Sequence, residues 1–347
     1  MNMKKLTNAF LLAAISILMV SFFNCAKEET PDDSADPPDP PDTTDLFPCW
    51  SELAYLQQGR SAHMVVVMDN KIYVAGGITT NRSLHEYDFS TNSWRARSNM
   101  PTGGEWLSGC AFDGKIYVMG GWWDEKTFDV LEVYDPATDG WMSKSPMPTK
   151  RFGHAAVEVD GLIYVIGGAR DWPVVEFYET IEIYDPQTDT WTTKNADITP
   201  RWGLSGCEAN GRIYIMGGDQ AEDYQASGES VPALDVVEEY DPVTGIWKQK
   251  SSMPTARWGL ASVSVNNMVF AIGGADEYEA VKLLDIVEQY DPVADTWVTK
   301  SPMPRGRLAL AGCELDNVIY VPGGGGLTQW IVYRDFFVYD PACDTVN

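Results

Sequence analysis

A short hydrophobic run ending in a glycine pair is written into this chain six times, and nothing else in the sequence constrains the fold as much. The copies are KIYVAGG (71–77), KIYVMGG (115–121), LIYVIGG (162–168), RIYIMGG (212–218), MVFAIGG (268–274) and VIYVPGG (318–324). A Tyr-Asp pair follows each one: Tyr87-Asp88, Tyr134-Asp135, Tyr184-Asp185, Tyr240-Asp241, Tyr290-Asp291 and Tyr339-Asp340. Seven residues beyond each of the first five tyrosines stands a tryptophan: Trp94, Trp141, Trp191, Trp247 and Trp297. The glycine doublets recur every 44 to 56 residues, a period that marks a repeat architecture.

Each unit reads as a small antiparallel sheet. The alternating apolar runs are strands, and Asp69-Asn70, Asp113-Gly114, Asp160-Gly161 and Asn210-Gly211 are hairpin turns. Glycine at a strand end admits close backbone approach, and the Tyr and Trp supply flat areas for one sheet to bury against the next. These residues resemble the kelch repeat, from Cys49 to the C-terminus. The resemblance implies an all-β, six-bladed kelch propeller with one four-stranded blade per repeat, in which the Gly, Tyr and Trp are scaffold. The sixth repeat has Val346 where its tryptophan belongs. Trp50 makes up the deficit: Leu56 lies six residues after it and Arg60 ten, matching the Met and Arg that follow Trp141, Trp247 and Trp297. The N-terminal strand is thus expected to complete blade six and remove its open edge.

With strands lettered a to d from the channel outward, the d–a connections and b–c loops share one face. Spacing from glycine doublet to tryptophan varies there (18, 21, 24, 30 and 24 residues), and variable loops on a rigid scaffold are where binding resides. Ten residues after each tryptophan on that face come Arg60, Arg151, Arg201, Arg257 and Arg307. Blade two departs, with Gly104 there and Glu105 next to it. Two readings stand for the arginines. In one, with Trp202 and Trp258 as an apolar wall, they form a funnel that binds an acidic peptide or protein segment or an anionic glycan. In the other, each pairs with a carboxylate of the next blade and ties the ring together. The acidic loops 219–235 and 275–285 could encircle that funnel or bind cations, and Trp122, Trp123, Trp172 and Trp330 on the same loops would suit either carbohydrate stacking or the packing of one loop on another.

Catalytic signatures are missing. There is no HExxH, CxxC, phosphate-binding loop or GxSxG elbow, and no cofactor or metal is expected. His63 and His154 recur 13 residues after a tryptophan and so belong to repeat packing. One bacterial kelch family interconverts sialic acid anomers. Resemblance to it keeps an enzyme of the sialic acid mutarotase (N-acetylneuraminate epimerase) type as the alternative to a binding module, with Glu105 as its candidate catalytic group. The discriminator is whether Glu105 and the arginines converge on one small cavity.

The segment before the repeats addresses the protein rather than folding with it. Residues 1–24 have a basic start and an apolar run, as in a secretion signal, and Phe22-Phe23-Asn24-Cys25 resembles a bacterial lipobox with Cys25 as the acylated residue. Residues 25–48 are rich in Pro and Asp and read as an unfolded tether, leaving 49–347 for the propeller. A lipid-anchored monomer outside the cytoplasm, on a bacterial outer membrane or cell surface, is the expectation. The net charge of −25 argues against nucleic acid, and against any membrane contact except through the lipid. Cys110, Cys207 and Cys313 sit on strand a of alternate blades, too far apart to bridge, and are expected as free thiols. Cys49 and Cys343 meet where the ring closes and are expected to form a disulfide.

Overall fold

A computed structural model describes residues 47–171, 176–220, 233–276, 282–326 and 331–344. The signal segment, Cys25, nearly all of the tether, most of the two acidic loops, Trp172, Trp330 and Val346 lie outside them. The described residues hold six antiparallel four-stranded sheets and three two-stranded ones. Blade one runs Met64–Met68, Lys71–Ala75, Leu84–Asp88 and Ser93–Arg97, and blades two to five repeat that order. Blade six takes Cys313–Leu315, Val318–Pro322 and Phe336–Tyr339 from the C-terminal end, and its outermost strand is Trp50–Leu53. Trp50 pairs with Tyr339 in the register in which Trp94 pairs with Tyr87, so the N-terminal strand closes the ring as expected.

The hairpin turns follow their sequences. Asp69-Asn70 and Asn210-Gly211 hold two successive positive φ angles, the type I′ geometry that matches strand twist. Asn266-Asn267 and Asp316-Asn317 do the same in blades five and six. The doublet glycines are needed for approach: a Cβ on Gly217 would lie 2.4 Å from the carbonyl oxygen of Arg257, in the connection leading to the next blade. The core lies between neighbouring sheets. Met64, Val66, Tyr73 and Leu84 of blade one, for instance, pack against Ile116, Val118 and Tyr134 of blade two.

On the face of the hairpin turns, one polar device recurs between blades. Tyr134 donates to Asp139 (2.7 Å), Asp139 also accepts the Ser98 amide of the preceding blade (3.0 Å), and Trp141 donates its Nε1–H to the Ser98 carbonyl (2.8 Å). Asn92, Asp189, Asp295 and Asp344 take the place of Asp139 in blades one, three, five and six. Blade four has Gly245 there.

At the ring's seam Cys49 is bonded to Cys343, with Cα atoms 5.3 Å apart, while Cys110, Cys207 and Cys313 are free. The bridge spans 294 residues, so its loss releases much chain entropy in the unfolded state. Replacing both Cys49 and Cys343 by Ser is expected to destabilise the domain by about 2–5 kcal/mol, measured by urea unfolding.

Candidate functional site

The d–a connections carry the candidate residues, and their backbone fixes where each side chain goes. Two residues after the arginine position, all six connections hold a residue at positive φ: Ala62, Trp106, Gly153, Gly203, Gly259 and Ala309. Each of the six donates its N–H to the carbonyl of its counterpart in the preceding blade, at 2.6–2.9 Å, so the chain closes a ring of hydrogen bonds around the channel mouth. That turn sends the residue before it toward the axis and the arginine into the blade.

All five arginines are fully covered. Each donates to the carbonyl of the first doublet glycine of the blade it enters: Gly76, Gly167, Gly217, Gly273 or Gly323. Each then meets a partner on or beside that blade's third strand. Arg151 pairs with Glu182 at 2.8 Å, Arg201 with Glu238 at 2.6 Å and Arg257 with Glu288 at 2.6 Å. Arg307 pairs with Asp335 at 3.2 Å and lies 4.3 Å over the Phe337 ring. Arg60 donates to Nδ1 of His85 at 2.7 Å. Burial lowers all five guanidinium pKa values, those of Arg60 and Arg307 to about 10. The cationic funnel expected from the sequence is therefore corrected: the charges are spent inside the blades. The carboxylates that take them are 28 to 37 residues away in sequence, as with Glu238, Glu288 and Asp335.

What reaches the axis is aromatic. Trp202 and Trp258, both buried, converge with Trp106, whose ring centroid is 5.1 Å from that of Trp202 and 5.9 Å from that of Trp258. Phe152 adds a fourth ring, 5.5 Å from Trp202, and Ala62, Leu308 and Ala309 complete the cluster. Trp106 is only partly buried and was not anticipated. A signal existed, because the equivalent position in every other blade is Gly or Ala. Left-handed backbone is unfavourable for a tryptophan by roughly 1–2 kcal/mol, and such strain collects at functional positions. Trp122 pairs with Glu105 through the backbone, and Trp123 beside it is 40% exposed.

Glu105 occupies the place that Phe152, Trp202 and Trp258 take in later blades. It is 7% exposed, its carboxylate accepts no hydrogen bond and makes no ion pair among the described residues, and burial alone raises its pKa to about 7. Blade two thus lacks the arginine and keeps its carboxylate: Glu132 accepts the Thr102 amide at 2.8 Å and is pushed upward by burial. Behind the aromatic cluster the channel holds a cavity of about 140 Å³ walled by the inner strands. Trp106, Ser108, Ser205 and Ser262 line it, but neither Glu105 nor any of the five arginines does. His63 and His154 line it too, and burial lowers both to about 3, so both are neutral. Among the described residues no group of His, Cys, Asp or Glu could hold a metal ion, and no helix is long and apolar enough to cross a membrane.

Two measurements follow. Arg257→Ala leaves Glu288 buried without its cation and is expected to cost about 3–5 kcal/mol in chemical unfolding. Glu105 binds its proton more tightly folded than unfolded, so its contribution is present in full below pH about 4.5 and is lost as pH rises through about 7. Glu105→Gln is expected to match the wild type near pH 4 and to exceed it at pH 8 by up to about 3 kcal/mol, read as a pH-dependent difference in Tm.

Residues 49–218 and 153–345 each match the family described as the KLHDC2/KLHL20/DRC7 Kelch-repeats domain. No curated protein matches the chain at a significant level. Among solved structures, that of YjhT is similar at 16% identity and a TM-score of 0.72, over 82% of this chain and 96% of that one. At that identity the likeness is one of fold.

Proposed function

The chain belongs to the kelch-repeat family, and from that premise we propose that it is a binding module whose ligand docks on the aromatic mouth of the variable-loop face. The observation that carries this is Trp106, a partly exposed indole held in left-handed backbone where the other blades have Gly or Ala, and braced by Trp202 and Trp258. An indole face fixed at a concave mouth suits stacking against the apolar face of a sugar ring, so the ligand class is carbohydrate. With Arg60, Arg151, Arg201, Arg257 and Arg307 committed to internal partners, the support for an anionic ligand at this mouth falls away. A lipid at Cys25 and a Pro/Asp tether would hold the module outside the cytoplasm on a bacterial membrane, a reading that rests on sequence alone.

The test is glycan-array capture by the wild type and by Trp106→Ala. Ala62 and Ala309 already occupy this position, so the variant is expected to fold with unchanged or higher Tm. Its capture is expected to fall at least about tenfold, the worth of one good aromatic contact. Equal capture by both proteins would end the proposal.

The sugar-processing alternative keeps one observation in its favour, the unpartnered Glu105 with its pKa near 7. It lacks the convergence it needs, since neither Glu105 nor an arginine lines the channel cavity.

A further inference from the structure

The residues that the d–a connections turn toward the axis are Ser61, Glu105, Phe152, Trp202, Trp258 and Leu308, and Glu105 is the one charged member of that ring. Its carboxylate meets no hydrogen-bond donor and no cation among the described residues. Burial is the whole cause of its raised pKa, with no neighbouring charge adding to it or offsetting it. The group is nevertheless within reach of solvent. Both ring nitrogens of His154 and Nδ1 of His63 are partnerless and sealed, whereas each oxygen of Glu105 keeps a solvent contact. A carboxylate therefore stands at the mouth, almost covered, reachable and unneutralised.

Its surroundings are aromatic. Trp106 is the next residue, and the Glu105 backbone exchanges two hydrogen bonds with that of Trp122, at 3.0 and 2.8 Å. Trp106 and Trp122, both half-buried, pack in one cluster, and Trp123 follows at the surface. A ligand stacked on Trp106 covers Glu105 too, and takes away the last solvent from a group already short of it. A neutral hydroxyl returns one hydrogen bond for that loss, whereas an ammonium group returns a hydrogen bond and the opposite charge. Ammonium is also attracted to the faces of indole rings. The field of the whole molecule acts in the same direction, since a net charge of −25 draws cations toward the surface. No guanidinium competes for the place: the five arginines are spent inside the blades, and blade two has Gly104 instead of its own.

Resting on the carbohydrate reading of this mouth, we infer that Glu105 selects the ligand, and that the ligand is a saccharide carrying a protonated amine, its ring stacked on Trp106 and its ammonium group donating to the Glu105 carboxylate. The unpaired carboxylate in blade two is then a binding group held ready, and its cost to the free protein is offset when the amine arrives.

Binding of a glucosamine oligomer to the full chain near pH 7, compared with binding of the same oligomer fully N-acetylated, tests this. The two probes share their rings and linkages, and only the first carries charge. The wild type is expected to hold the amine form at least about tenfold more tightly, the worth of a modest desolvated charge pair. Glu105→Gln is expected to lose that preference, its affinity for the amine form falling to that for the N-acetylated one. Because this variant is expected to be at least as stable as the wild type, a lost preference is not a lost fold. Trp106→Ala is expected to weaken both probes together. A wild type that binds both forms equally, or a Glu105→Gln variant that keeps the preference, overturns the role given to Glu105 and leaves stacking on Trp106 standing. A preference that survives in Trp106→Ala at undiminished affinity ends the stacking reading while supporting Glu105 as the partner of the amine. Glu105-dependent binding of N-acetyl-lysine amide, with none of the amino sugar, overturns the saccharide in favour of a protein partner.

Discussion

Six backbone hydrogen bonds around the axis, from Ala62 to Ala309 and on through Gly259, Gly203, Gly153 and Trp106 back to Ala62, set the geometry of everything above them. Because every blade contributes both a donor and an acceptor, no blade can tilt without breaking two bonds. The positive φ at each of these positions has a second effect. It splits the connection into an inward-facing residue and a blade-facing one, and so decides which chemistry reaches the mouth and which is buried. A sequence reading that treats Arg201 and Trp202 as neighbours in one site overlooks that they leave the chain in different directions.

Burying five guanidiniums is expensive, and the structure shows how the cost is met. Each has a carbonyl at the glycine doublet and an acceptor or an aromatic face on the third strand, and the partner changes with the blade: Glu182, Glu238 and Glu288 in three of them, His85 in blade one, Asp335 with Phe337 in blade six. Blade two has dropped the arginine at Gly104 yet keeps Glu132 and adds Glu105, leaving it with two buried carboxylates and no matching guanidinium. Departures from the repeat, rather than the repeat itself, are where this molecule holds groups that its own chain does not satisfy.

The fold was legible because its signals are local or strictly periodic. Strand alternation, Asp-Asn and Asn-Gly turns and the fixed Tyr-to-Trp spacing named the blades, and counting from Trp50 placed both the closing strand and the Cys49–Cys343 bond. The site was legible only in part. Position ten after the tryptophan holds arginine in five blades, but whether Arg257 faces solvent depends on Glu288, which lies on another strand. A repeat-by-repeat look two residues before each tyrosine would have shown His85, Glu132, Glu182, Glu238 and Glu288 waiting there. Trp106 was missed for a different reason: it stands out only when the residue two after the arginine position is compared across all six blades, where the others have Gly or Ala.

Closure by an N-terminal strand also has a mechanical side. Any pull that enters the domain from the segment before residue 49 arrives at Cys49, one residue ahead of the edge strand Trp50–Leu53. A strand loaded at its end peels from its neighbour one hydrogen bond at a time, which is the weakest way to load a sheet. The covalent link from Cys49 to Cys343 moves that force past the edge strand and onto the far end of the chain, so both termini of the ring are held at one point. With both ends of the ring held there, the edge strand Trp50–Leu53 is shielded from peeling.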